Sequence, residues 1–178
     1  WIVWHKDMAD NYAFEGLDND NAHADGGSPI SKYVDAVSST LVTVGDAGEN
    51  NNSGDTYIMY CWASVDGYCK VGSYVGNGNS DGPFAYTGFR PAFLLTKVTG
   101  LSGEGWQMVD SERVGYNGGN NHLEANSSAA EDSGVADRVD FLSNGFKINN
   151  AWTRINSNAY TYIYLAFAET PFKYSNAR

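Results

Sequence analysis

A recurrence at a step of 105 residues constrains what this chain can fold into more than any other feature. Trp1 and Trp106 stand one step apart, and the same step carries Val34-Asp35-Ala36-Val37-Ser38 onto Val139-Asp140-Phe141-Leu142-Ser143. A third stretch, Thr56-Tyr57-Ile58-Met59-Tyr60-Cys61-Trp62-Ala63, falls on Thr161-Tyr162-Ile163-Tyr164-Leu165-Ala166-Phe167-Ala168 with its apolar class kept throughout. Self-similarity at a fixed step means that one unit is used more than once. Residues 73–105 have no earlier counterpart. The expectation is therefore a tandem repeat of about 105 residues, with the C-terminal part of a first copy in 1–72 and a complete second copy in 73–178. The two parts can also pack as one sandwich unit. On this reading the chain, which starts at Trp1 without Met, is a piece of a longer or processed one.

At 178 residues the chain is long enough for one large sandwich or two small domains, each with a real core. Its 20 Gly, 12 Tyr, 8 Phe and 5 Trp, with abundant Asn, Ser and Asp and few long charged residues, describe short strands joined by turns. A net charge of −10 argues against nucleic acid as a partner, since phosphate backbones are met by clustered Lys and Arg. No apolar run reaches the roughly 18 to 20 residues needed to cross a bilayer, so membrane insertion is not expected, and no basic, apolar leader opens the sequence.

Strands are expected at residues 1–6, 32–37, 40–44, 56–63, 70–74, 84–87, 91–98, 106–110, 138–142, 146–148 and 160–169, with turn chemistry between them. Ser143-Asn144-Gly145 carries the Asn-Gly signal of a tight hairpin. Pro91 opens its strand, where its missing donor does least harm. Segment 56–63 is apolar on both faces, which predicts a central, covered strand with Trp62 in the core beside Trp1 and Trp106. Residues 128–132 can make one helical turn. The fold class that follows is all-β, an antiparallel β-sandwich or jelly roll. Cys61 and Cys69 straddle Asp66-Gly67, so a disulfide across the hairpin and two free thiols, with Cys61 buried, both stay open. Two cysteines are too few for a zinc site.

The motif Gly72-Ser73-Tyr74-Val75-Gly76-Asn77-Gly78-Asn79-Ser80-Asp81-Gly82-Pro83, followed by Tyr86-Thr87-Gly88-Phe89-Arg90-Pro91-Ala92-Phe93, resembles a repeated domain of unknown function in structural proteins of tailed bacteriophages, many of them marine. That domain is often grouped with laminin-G or concanavalin-like sandwiches. Val139-Asp140-Phe141-Leu142-Ser143-Asn144-Gly145-Phe146-Lys147, residues 161–169 and the ending Pro171-Phe172-Lys173-Tyr174-Ser175-Asn176-Ala177-Arg178 extend the likeness over most of 70–178. The resemblance implies a virion protein, at the virion surface or extracellular, and places Arg178 near the C-terminus of its parent. It supplies no catalytic or ligand residues. Cys69 departs from the pattern, which has a polar residue there.

Enzyme motifs are lacking. Glu104, Asp110, Glu112, Glu124, Glu131 and Asp132 can supply paired carboxylates, but a solvated surface is the simpler account of so many acids. His5, His23 and His122 have no zinc spacing, and the Gly76 to Gly82 run looks like a phosphate loop without its Lys. Calcium is the one cofactor considered, at Asp18, Asp20 and Asp25, or at Asp46, Glu49 and Asp55; the alternative is Asx turns. A glycan site needs exposed aromatic faces beside Asn, Asp and backbone groups, which Tyr116 with Asn117, Asn120, Asn121 and His122, and Trp152 with Asn149, Asn150 and Arg154, offer in two separate loops. The competing account has these aromatics capping the core while the Asn residues make turns. The expected function is a non-enzymatic phage virion module of a tail fibre or capsid-surface appendage that adheres to host-surface glycans. Its partners would be other virion chains, as a homo-oligomer. The alternatives are a purely structural spacer or decoration module without a ligand and, further off, a tailspike polysaccharide depolymerase.

Overall fold

The computed structural model describes residues 1–8, 15–22, 33–113, 121–132 and 138–172. In chain order the elements are β1 (Ile2–Val3), β2 (Glu15–Gly16), β3 (Val34–Val37), β4 (Val42–Val44), α1 (Gly48–Asn51), β5 (Cys69–Val75), β6 (Phe84–Tyr86), β7 (Pro91–Val98), β8 (Gln107–Asp110), β9 (His122–Glu124), β10 (Val139–Leu142), β11 (Gly145–Ile148), α2 (Thr153–Asn156) and β12 (Thr161–Ala168). The chain is all-β, and its named strand pairs are antiparallel.

Two sheets carry the core. A five-stranded sheet runs β5-β12-β7-β8-β9, and a three-stranded sheet runs β10-β11-β6. Side chains alternate across a strand. The register that sets Tyr162 opposite Val98, Tyr164 opposite Thr96 and Ala166 opposite Leu94 therefore puts these residues on one face. That face packs with Tyr74 and Val109 against Ala85, Val139, Phe141, Phe146 and Ile148 of the smaller sheet, in a sandwich-like arrangement closed by Ile155 of α2. Tyr74 and Tyr162 stack at 5.0 Å, and the Tyr74 hydroxyl donates to the Ile155 carbonyl at 2.8 Å, so the rings keep their polar tips bonded while the bodies are buried.

The opposite face of the large sheet is covered too. Ile163 and Leu95 meet Met8, Val3, Leu17, Val34 and Trp106. The Trp106 indole nitrogen donates to the Gly16 carbonyl at 2.8 Å, which ties the N-terminal strands across this face. The N-terminal residues thus form a layer on the sheet.

The expected hairpin at Ser143-Asn144 forms, with Leu142 opposite Gly145. Its glycine is required for a different reason from turn conformation: a Cβ on Gly145 would lie 2.2 Å from the Ala85 carbonyl oxygen, so only glycine lets β6 approach β11. The Gly/Asn run after β5 wraps a buried side chain. Asn156 accepts from the Asn77 amide at 2.8 Å and donates to Asn77 Oδ1, the Asn79 carbonyl and the Asn150 carbonyl at 3.1, 2.7 and 2.9 Å.

Several expectations are corrected. Segment 56–63 belongs to no strand, and all of its residues are exposed. Ile58 is 71 % exposed, Tyr60 59 % and Trp62 54 %, and Trp1 stands at 67 % instead of in the core. An apolar strand is buried only if neighbours cover both its edges and faces, and among the described residues no strand pairs with segment 56–63. Trp106 is buried as expected. The strand at 1–6 shrinks to Ile2–Val3, and residues 128–132 form no helical turn, Asp132 instead bridging to His122. Both cysteines are free, and the buried one is Cys69, not Cys61.

Candidate functional site

The open side of the sandwich lies between β9, the last strand of the large sheet, and β10, the last strand of the small one. His122 and Glu124 sit opposite Val109 and Gln107, so both point toward the interior side of β9. Arg138, just before β10, reaches the same place from the other sheet. Its Nη1 lies 2.5 Å from His122 Nδ1 and its Nη2 3.2 Å from Asp132 Oδ2. His122 and Arg138 are almost fully buried, at 3 % and 4 % exposure.

Trp152, at the start of α2, fills the rest of the gap. Its ring meets the His122 ring edge-on at 5.2 Å, the Arg138 guanidinium carbon lies 3.9 Å from its centroid, and that of Arg154 5.0 Å. Guanidinium over an indole is a favourable cation–π arrangement. Arg154 Nε is 3.2 Å from Glu104 Oε2, Arg154 also pairs with Glu124, and the Thr153 hydroxyl donates to Glu104 Oε1 at 2.9 Å. The cluster is a polar plug of two arginines and three carboxylates that seals one side of the hydrophobic core. Burial, reinforced by the Arg138 charge, pushes the His122 ring down from 6.5 to about 4, so the imidazole is neutral at pH 7 and its Nδ1 accepts from Arg138.

The two loops singled out for glycan binding therefore meet, because His122, Trp152 and Arg154 converge. Asn121 is at the margin, donating to Glu131 Oε1 at 2.5 Å. Tyr116, Asn117 and Asn120 lie outside the described residues. The neighbouring amides serve the fold: Asn150 Oδ1 accepts from the Trp152 amide at 2.9 Å, and Asn149 donates to Asp140 at 2.6 Å. Trp152 is partly buried against the core. Arg138 escaped sequence reasoning, although a lone Arg directly before the apolar run of β10 was the available signal.

Carboxylates are paired through arginines. Asp110 and Glu131 meet on Arg113 at 2.6 and 2.7 Å, as Glu104 and Glu124 meet on Arg154. The Arg113 hydrogen bond holds Glu131 below the usual carboxylate range. That favours the ionised form of Glu131, whereas a glycosidase acid must hold its proton. Of the calcium candidates, Asp18 lies 3.4 Å from the Trp1 amino group, Asp20 is exposed, and Asp25 lies outside the described residues. Asp55 Oδ2 accepts from Asn52 at 2.7 Å. Among the described residues no three His, Cys, Asp or Glu are grouped to hold a metal ion.

A second feature is a surface. Tyr57, Ile58, Met59, Tyr60 and Trp62 form a continuous exposed apolar strip, with ring centroids of Tyr60 and Trp62 6.0 Å apart and Trp1 6.2 Å beyond Tyr60. Scattered apolar residues on a surface are ordinary; a continuous run of this kind is not.

A family model described as a domain of unknown function (DUF7483) matches residues 1–171. No curated protein and no solved structure matches the chain.

Proposed function

We propose, for a chain that belongs to the DUF7483 family, a non-enzymatic structural role in a tailed-bacteriophage virion, as a module of a tail fibre or capsid-surface appendage that works by contact with other protein chains. The phage assignment rests on the motifs of residues 72–93 and 139–147. The observation that carries the contact role is the exposed strip at 56–63. The recurrence of elements supports the repeat: β3 and β10, and α1 and α2, each stand one 105-residue step apart. Strand-type sequence that is exposed and outside every sheet among the described residues is suited to assembly.

Mass spectrometry of purified particles of a phage that encodes the chain tests the role. Peptides of the chain are expected in the particles, with cross-links from Lys6 and Lys70 to other chains. Absence of the chain from the particles would overturn the proposal.

A second reading, adhesion to host-surface glycans, is favoured by the convergence of Trp152, His122 and Arg154 with Asn121 at the rim. It requires binding on a glycan array that Trp152→Ala removes. An array without signal from the intact chain leaves the contact role alone.

A further inference from the structure

We propose that segment 56–63 is an unpaired β-strand that adds, antiparallel, to the exposed β5 edge of a second copy of this chain. The inference rests on the contact role and names the partner of the strip.

The strip has the sequence of a strand. Thr56, Tyr57, Ile58 and Ala63 are identical to Thr161, Tyr162, Ile163 and Ala168 of β12, and the segment follows α1 as β12 follows α2. β12 is the second strand of the large sheet, bonded to β5 on one side and β7 on the other. A β12-type sequence is thus one that an antiparallel β5 accepts.

Among the described residues the β5 edge is open beyond Val71, its start being taken by the Val65–Cys69 bridge. The Gly76 amide bonds inward to the Tyr160 carbonyl, and backbone groups alternate along a strand, so the amides and carbonyls of Val71, Ser73 and Val75 point outward, away from β12. Ser64 Oγ already takes those of Val71, receiving its amide at 3.0 Å and donating to its carbonyl at 3.3 Å. Ser73 and Val75 are exposed beyond it. The segment is drawn away from the β5 of its own chain: Ser64 stands where the next backbone bond would form, and the Tyr57 hydroxyl is held by the Gly48 carbonyl and the Asn52 amide, each at 3.0 Å.

Charge and area fit a second copy. Residues 56–65 carry no charge, in a chain whose net −10 would otherwise repel its own kind. The five large side chains of the strip leave about 600 Å² in water, and Val65, Tyr68 and Val75 beside the β5 edge bring this to about 800 Å², one partner's share of a standard-size interface.

Sedimentation analysis of the 178-residue chain, with hydrogen exchange at low and high concentration, tests the proposal. A dimer is expected, with amides 57–63, Ser73 and Val75 gaining protection and Cys61 losing reactivity toward maleimide as it forms. Met59→Pro removes one amide from the middle of the strip at an exposed site, and should weaken the dimer by about tenfold or more while leaving near-UV circular dichroism unchanged. Ile58→Asp, which keeps the backbone, should weaken it similarly. A dimer that Met59→Pro leaves intact overturns strand addition. A monomer at every concentration overturns it as well: with amides 57–63 protected, the occupant is the β5 edge of the same chain, and with them unprotected it is another virion chain. That last result leaves the contact role to stand or fall on the particle cross-links.

Discussion

His122 shows how one buried ring can set the acid sensitivity of the chain. Burial and the adjoining Arg138 disfavour its protonated form and lower it from 6.5 to about 4. A folded-state value below the unfolded one means that the unfolded chain binds the proton first as pH falls. The stability that the neutral ring contributes is full above about pH 6.5, is lost progressively between there and about pH 4, and amounts to about 3 kcal/mol. His5, lowered mainly by burial, acts in the same direction. Urea titrations of the chain and of His122→Asn from pH 7.5 to pH 4 test this, because the variant should show a shallower decline. Identical profiles would remove His122 from the account. The residue types at this site were legible in the sequence, which singled out His122, Trp152 and Arg154, but in two loops. That they share one plug depends on which strands become the open edges of the two sheets, and side-chain chemistry does not encode that locally.

At the level of elements, the instructive pair is segment 56–63 and β12. Their sequences are closely alike, and the local pattern predicts a strand for both. Only β12 has β5 and β7 beside it. A strand is completed by hydrogen bonds to neighbours, so local sequence sets the tendency and the partner sets the outcome. Residues 73–105, which include β7 and the end of β5, have no earlier counterpart at the 105-residue step, so the likeness of 56–63 to β12 does not extend to the strands that flank β12. The Gly/Asn run at 76–82 makes the complementary case. Its composition predicts a loop, and its shape comes from Asn156, fully buried on the far side of the sequence. Asn156→Ala deletes four hydrogen bonds, to the Asn77 amide and side chain and to the carbonyls of Asn79 and Asn150. It is expected to cost about 2–4 kcal/mol in denaturant unfolding. A loss below about 1 kcal/mol would mean that the loop holds its shape without this side chain.

For the whole molecule, net charge and apolar surface act against each other. A chain of −10 repels its copies at long range, whereas the proposed contact is uncharged. Raising salt from about 20 mM to about 500 mM should therefore tighten self-association severalfold, the reverse of an ion-paired interface. Sedimentation across that range checks it, and weakening with salt would point to contacts between charges instead. The sequence by itself determined the all-β class, the hairpin at Ser143-Asn144, the opening of β7 at Pro91 and most strand positions, because alternation and turn chemistry act over a few residues. The tertiary structure alone decided that the N-terminal strands lie across the outer face of the large sheet, that Trp106 is buried while Trp1 and Trp62 are not, and that distant charged residues meet beside Trp152. Burial and charge pairing are properties of what lies on the other side of a side chain, and that is fixed only when sheets hundreds of atoms apart in the chain come to pack together.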